Sequence, residues 1–113
     1  MKYNKEDFYF KINLLKEKVN SGETRTFNWR IEQLNKIDKL LNKYKSDIIS
    51  SLNLDLGKSK IEALSEILLV KEEISLVKKK LRSWMRPKII NTPIYLLPLS
   101  SKVIYEPIGC VLV

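Results

Sequence analysis

The chain has 113 residues, 44% of them hydrophobic, with 21 basic and 13 acidic side chains and a formal charge of +8. That hydrophobic share excludes an intrinsically disordered chain, and the absence of His removes the commonest metal ligand and the commonest general base. A lone cysteine, Cys110, excludes an internal disulfide and fits a reducing, cytoplasmic setting. No apolar run reaches the ~18 residues of a transmembrane helix, and the Lys-containing start lacks the apolar stretch of a signal peptide. All four prolines follow residue 86, so a long helical first part and an irregular or β-rich end are expected.

The first predicted helix covers residues 4–22, where Phe8, Ile12, Leu15 and Val19 form one apolar stripe between Asn4 as N-cap and Gly22 as C′ residue. The stripe is narrow, so this helix must lie against something else. A second helix of roughly seven turns is predicted from Phe27, Ile31, Leu34, Ile37, Leu41, Tyr44, Ile48 and Leu52, which recur in unbroken steps of three or four. Thr26 or Asn28 caps its start, and Gly57 lies just past its end. The third opens on Ser59-Lys60-Ile61-Glu62, a capping box in which each side chain satisfies a backbone N–H that the first turn leaves free. It continues through Leu64, Ile67, Leu68, Ile74, Val77, Leu81 and Trp84 and ends before Pro87. Leu68-Leu69-Val70 widens its apolar face, so more than one neighbour is expected there. Neither long helix sustains a heptad with flanking opposite charges, which argues against a two-helix coiled coil.

After Pro87 the chain turns or extends at Asn91-Thr92-Pro93 and Leu97-Pro98, and residues 101–105 read as a short strand. Residues 108–113 are almost wholly apolar, the pattern of a strand buried on both faces in a parallel sheet. Such a strand needs neighbours that this sequence does not supply. The chain therefore reads as the front end of a larger protein. The competing reading makes residues 108–113 the last strand of a small α+β domain, paired with residues 102–105.

Candidate chemistry is sparse. Glu62, Glu66, Glu72 and Glu73 share one helix with Lys60, Lys71 and Lys78-Lys79-Lys80, which favours a solvated, ion-paired face over an acid–base pair. Trp29 and Trp84 suit packing better than base stacking. Cys110 sits among Gly109 and Val111, where an apolar setting raises a thiol's pKa and leaves it inert. No Gly-rich phosphate loop and no nucleophile–base pair stand out.

Taken in order, a set of short motifs resembles the N-terminal region of class 3-type, fatty-aldehyde-like aldehyde dehydrogenases. They are Ser21-Gly22-x-Thr24-Arg25, Arg30-Ile31-x-Gln33-Leu34, Leu52-x-x-Asp55-Leu56-Gly57-Lys58, the helix with Glu66 and Glu72-Glu73-Ile74 ending at Trp84, and Lys88 with Thr92-Pro93. The last is Tyr105-Glu106-Pro107-Ile108-Gly109-Cys110-Val111-Leu112-Val113, similar to the family's Glu-Pro-(Leu/Ile)-Gly-x-Val-Leu-x segment. The likeness covers about residues 20–113. It implies a mainly α N-terminal part of three helices (residues 1–86), a Pro-containing loop (87–100), and a β-hairpin with the first strand of an incomplete α/β dinucleotide-binding fold (101–113).

The resemblance also implies a reaction. Such enzymes oxidise aldehydes to carboxylic acids with NAD or NADP. A Cys thiolate attacks the carbonyl, hydride passes to the nicotinamide, and a Glu-activated water releases the acid. The family's oxyanion Asn, cofactor loop, base and nucleophile all fall beyond Val113. No catalytic, cofactor-binding or metal-binding residue is therefore assigned here, no cofactor is expected to bind this chain, and it is expected to be inactive alone. In the family this region helps to build the dimer, so a homodimer or pairing with a full-length homologue is a further expectation. The alternative reading is a stand-alone basic helical module for nucleic acid or an anionic surface. The charge is scattered, which weighs against nucleic acid.

Overall fold

The computed structural model describes residues 5–111. Asn4, expected to cap the first helix, and Leu112 and Val113, the end of the expected last strand, lie outside the described residues. Four α-helices are seen where three were expected: α1 (Lys5–Asn20), α2 (Phe27–Lys43), α3 (Lys45–Leu56) and α4 (Lys60–Trp84). Two short strands, β1 (Lys88–Ile90) and β2 (Ser101–Val103), follow.

The chain divides into two compact units. One is Ile31–Trp84; the other joins Met1–Arg30 with Met85–Val113. In the second unit, α1 ends at Asn20 with Gly22 as the expected C′ residue, whose φ of 80° is a left-handed conformation that costs glycine little. A 3-10 turn, Glu23–Arg25, leads to α2. Of the two candidate caps, Thr26 is used: its Oγ1 accepts the Trp29 N–H at 3.2 Å.

The long second helix of the sequence reading is two helices. The chain leaves helical geometry at Tyr44 (φ −103°, ψ 21°) and resumes it at Lys45. Hydrogen bonds continue on both sides of the break, from the Tyr44 N–H to the Leu40 carbonyl and from the Ile48 N–H to the Tyr44 carbonyl. The apolar spacing runs on through residues 41, 44 and 48, so periodicity carried no sign of the bend. After it, α3 packs on α4. Gly57 (φ 65°) then closes α3, its N–H reaching the Asn53 carbonyl at 2.9 Å.

The capping box forms as read from the sequence. The Ser59 N–H donates to Glu62 Oε2 at 2.8 Å and the Glu62 N–H donates to Ser59 Oγ at 3.3 Å. α4 then runs for 25 residues and holds the four buried apolar residues among those described: Ala63, Ile67, Ile74 and Leu81. Their spacing of four, seven and seven puts them on one side of the helix. Burial of each of the three larger side chains stabilises by about 1.5–3 kcal/mol.

At the end of the chain the hairpin differs from expectation. β2 falls within the strand read over residues 101–105, but its antiparallel partner is β1, inside the stretch read as loop, with Lys88 opposite Val103 and Ile90 opposite Ser101. Thr92 Oγ1 accepts the Ser101 N–H at 2.9 Å and ties the connecting loop to β2. Ile108–Val111 carries no strand. A strand exists only by pairing, and the sheet among the described residues has two strands, β1 and β2.

Candidate functional site

The polar residues singled out by sequence serve local structure. Glu62 is held below the usual carboxylate range, first by the Ser59 backbone N–H and then by the Ser59 hydroxyl, with Lys58 adding charge attraction. That is the arrangement of a helix cap. Glu66 pairs with Lys58, and Lys71 reaches to α2, donating to Asn42 Oδ1 at 2.8 Å with Asp38 Oδ1 at 3.8 Å. The expected pairing of Lys71 with the glutamates of its own helix is thus replaced by a tie between helices. Its Asn42 partner is 29 residues away, beyond the reach of a pattern that weighs neighbours three or four apart. Glu72, Glu73, Lys79 and Lys80 are exposed and Lys78 is half-buried.

The Ser-Gly-x-Thr-Arg motif is likewise a turn. Ser21 Oγ donates to the Lys18 carbonyl at 2.8 Å and accepts the Glu23 N–H at 3.4 Å, while Arg30 Nε donates to the Thr24 carbonyl at 3.0 Å. Each contact satisfies a backbone group left over where α1 ends and α2 begins. Trp29 is half-buried, in keeping with a packing role, whereas Trp84 is 50% exposed. Cys110 is exposed and not packed as expected, because the segment that carries it pairs with no strand. The three glycines stand at 22, 57 and 109, too far apart in sequence to form one phosphate-cradling loop. Among the described residues, no group of three or more His, Cys, Asp or Glu side chains is placed to hold a metal ion. No helix among them is long and apolar enough to cross a membrane.

Apolar surface is what remains, and Leu68-Leu69-Val70, expected to meet more than one neighbour, is open. On α4, Ile61, Leu68, Leu69 and Leu76 are 80, 59, 63 and 45% exposed. At 100° per residue they fall on the side of the helix opposite Ala63, Ile67, Ile74 and Leu81. α4 therefore has two apolar faces, one buried and one open. The hairpin loop adds Ile94, Tyr95, Leu97 and Leu99, and the tail adds Ile108, which is fully exposed, and Val111. So much open apolar surface, on so small a chain, marks surfaces made to be covered.

Comparison with known proteins gives these faces a context. No protein-family model matches the chain. It is 40% identical over 95 residues to the 4,4'-diaponeurosporen-aldehyde dehydrogenase of Staphylococcus aureus, a match covering 83% of this chain and 21% of that protein. It is 36% identical over 103 residues to the chloroplastic aldehyde dehydrogenase family 3 member I1 of Arabidopsis thaliana, covering 90% of this chain and 19% of that one. The solved substrate-bound structure of Staphylococcus aureus AldH superposes with a TM-score of 0.81 at 35% identity, over 95% of this chain and 23% of that one. The chain thus spans about a fifth of the length of the curated relatives it matches.

Proposed function

We propose a role for this chain on the ground that it belongs to the class 3 aldehyde dehydrogenases and corresponds to their N-terminal fifth. In that role it is the helical scaffold of an oxidoreductase that converts aldehydes to carboxylic acids with NAD or NADP. The observation that carries the reading is the similarity over nearly the whole chain, in sequence and in fold together, to a substrate-bound enzyme. In this reading the catalytic roles known for the family are not assigned to any residue of this chain. Glu62 is engaged in a cap and Glu66 in an ion pair, which supports a structural role for both. We assign no catalytic, cofactor-binding or metal-binding residue to the chain.

The test is direct. Purified chain, given a long-chain aldehyde with NAD or NADP, is expected to form no reduced cofactor; aldehyde-dependent turnover would overturn the reading. Association with a second copy or with a full-length homologue, through the long helices and the loop at 87–101, is the assembly this role favours, and size-exclusion chromatography with light scattering reads it out. The chain's single cysteine suits a cytoplasmic enzyme. Cell fractionation checks that placement, which recovery in an organelle or membrane fraction would displace.

A further inference from the structure

We infer that the loop of the β1–β2 hairpin, residues 91–100, docks on an anionic phospholipid surface, with Lys88 and Lys102 at the headgroups. Charge points to it first. Basic residues are scattered along the chain, but acidic ones are not: between Glu73 and Glu106 there are seven Lys and Arg residues and no Asp or Glu. The rest of the chain sets 14 basic residues (21 less 7) against all 13 acidic ones, so nearly the whole charge of +8 arises in this stretch. Clusters of that sign are drawn to the negative surface of a membrane.

Within the hairpin, charged and apolar side chains are sorted. From Ile89 to Ser101 no residue is charged, and Lys88 and Lys102 flank that run. Ile94, Tyr95, Leu97 and Leu99 are 86, 84, 64 and 66% exposed. Lys88 lies opposite Val103 and Lys102 opposite Ile89, which places one ammonium group on each face of the ribbon. Leu99 and Lys102 are at most about 10 Å apart along the chain. An interfacial element seats its apolar side chains about 5–10 Å deep, so a seated loop leaves Lys102 at the phosphates, with Lys88 reaching them on its flexible stem. Leaving water also demands that backbone donors be satisfied. Pro93 and Pro98 have no N–H, the Leu96, Leu97 and Leu99 N–H groups donate to carbonyls of residues 93–96, and the Ser101 N–H donates to Thr92 Oγ1. A second copy of the hairpin would bring like charges together, whereas anionic lipid meets the apolar loop and both cations at once. The contact is peripheral and screened by salt, so a salt-washed fractionation leaves the chain in the cytoplasmic pool. Assembly then falls to the long helices.

The test is flotation of this chain with vesicles of phosphatidylcholine alone, or of phosphatidylcholine and phosphatidylglycerol in equal parts. Binding is expected to the mixed vesicles at low salt, and to be lost on neutral vesicles or at high salt. Lys88→Gln with Lys102→Gln is expected to weaken it about 25-fold, at about fivefold per cation. Ile94→Ser with Leu97→Ser is expected to weaken it by about tenfold or more. Leu54→Ser, at a residue 83% exposed on α3, is expected to leave it unchanged. All these positions are exposed, so circular dichroism should not change. Amide hydrogen exchange needs no variant: anionic vesicles are expected to slow exchange at residues 94–97. Absence of binding, equal binding to neutral vesicles, or binding that survives both double variants overturns the inference. So does a dimer that the loop variants dissociate in a chain that ignores vesicles. None of these outcomes touches the proposed function, which is read from cofactor reduction.

Discussion

α4 and the segment after it are both rich in large apolar side chains, yet they use them differently. Ile67, Ile74 and Leu81 are buried in α4, whereas Ile89, Ile94, Tyr95 and Ile108 are each more than 80% exposed. A helix satisfies its backbone hydrogen bonds internally, so it can form first and then bury one face against whatever lies nearby. A strand is completed only by another strand. The helical region therefore holds its structure by itself, while the described residues after α4 show a minimal hairpin, β1 with β2, and an apolar run over residues 108–111 without strand. The difference teaches that one composition gives a core or a bare surface according to whether the backbone needs a distant partner.

The comparison is broken most readily at the buried face. Ile74→Ala is expected to destabilise the helical unit by about 3 kcal/mol, since it removes buried methylenes and leaves a cavity. Circular dichroism melts should show a large loss of midpoint or of cooperativity; an unchanged melt would mean that α4 is not the core. The next effect is local. Ser59→Ala removes the hydroxyl that accepts the Glu62 N–H and is expected to cost about 1 kcal/mol, read out as fraying of the first turn of α4 in amide hydrogen exchange.

The pH dependence of the same cap follows from Glu62. Its carboxyl is held below its ordinary value in the folded chain, so the folded state favours the ionised form. The stabilisation is present above the unfolded-state value and is lost as pH falls through the lowered folded-state value. An NMR titration of the Glu62 carboxyl should give a midpoint below the usual carboxylate range, and Ser59→Ala should move it back up. A midpoint in the ordinary range in the intact chain would show that the cap is not formed in solution.

Least affected of all should be the tail. Ile108→Lys changes a side chain that is 100% exposed and is expected to alter stability by no more than about 0.5 kcal/mol. It should nevertheless reduce self-association at high concentration, because it breaks an apolar run open to edge pairing. A clear loss of stability would show that residues 108–111 are packed after all, and would narrow the contrast with α4.

How much of this was legible in advance follows the range of the interactions. The left-handed turns at Gly22 and Gly57 and the reciprocal cap of Ser59 and Glu62 were readable because each is settled by residues within a turn of one another. The order of short motifs carried the family for a related reason, since several local turns and caps in fixed order rarely coincide by chance. The tie of Lys71 to Asn42 and Asp38 was not legible, nor was the engagement of Glu66 by Lys58. Both depend on where helices come to lie, and charge spacing along a single helix gives no information on that.

By itself, the sequence determined the helical character of the first part, the turns at Gly22 and Gly57, the Ser59–Glu62 cap and the family resemblance, because hydrophobic period, a capping Ser with a Glu three residues on, and a glycine at a left-handed position act over a few residues. Only the tertiary structure decided the bend at Tyr44, the choice of β1 as the partner of β2, and which of α4's two apolar faces is buried. Each of these is a contest between alternatives that local preference leaves equal, and it is settled by contacts between parts of the chain far apart in sequence.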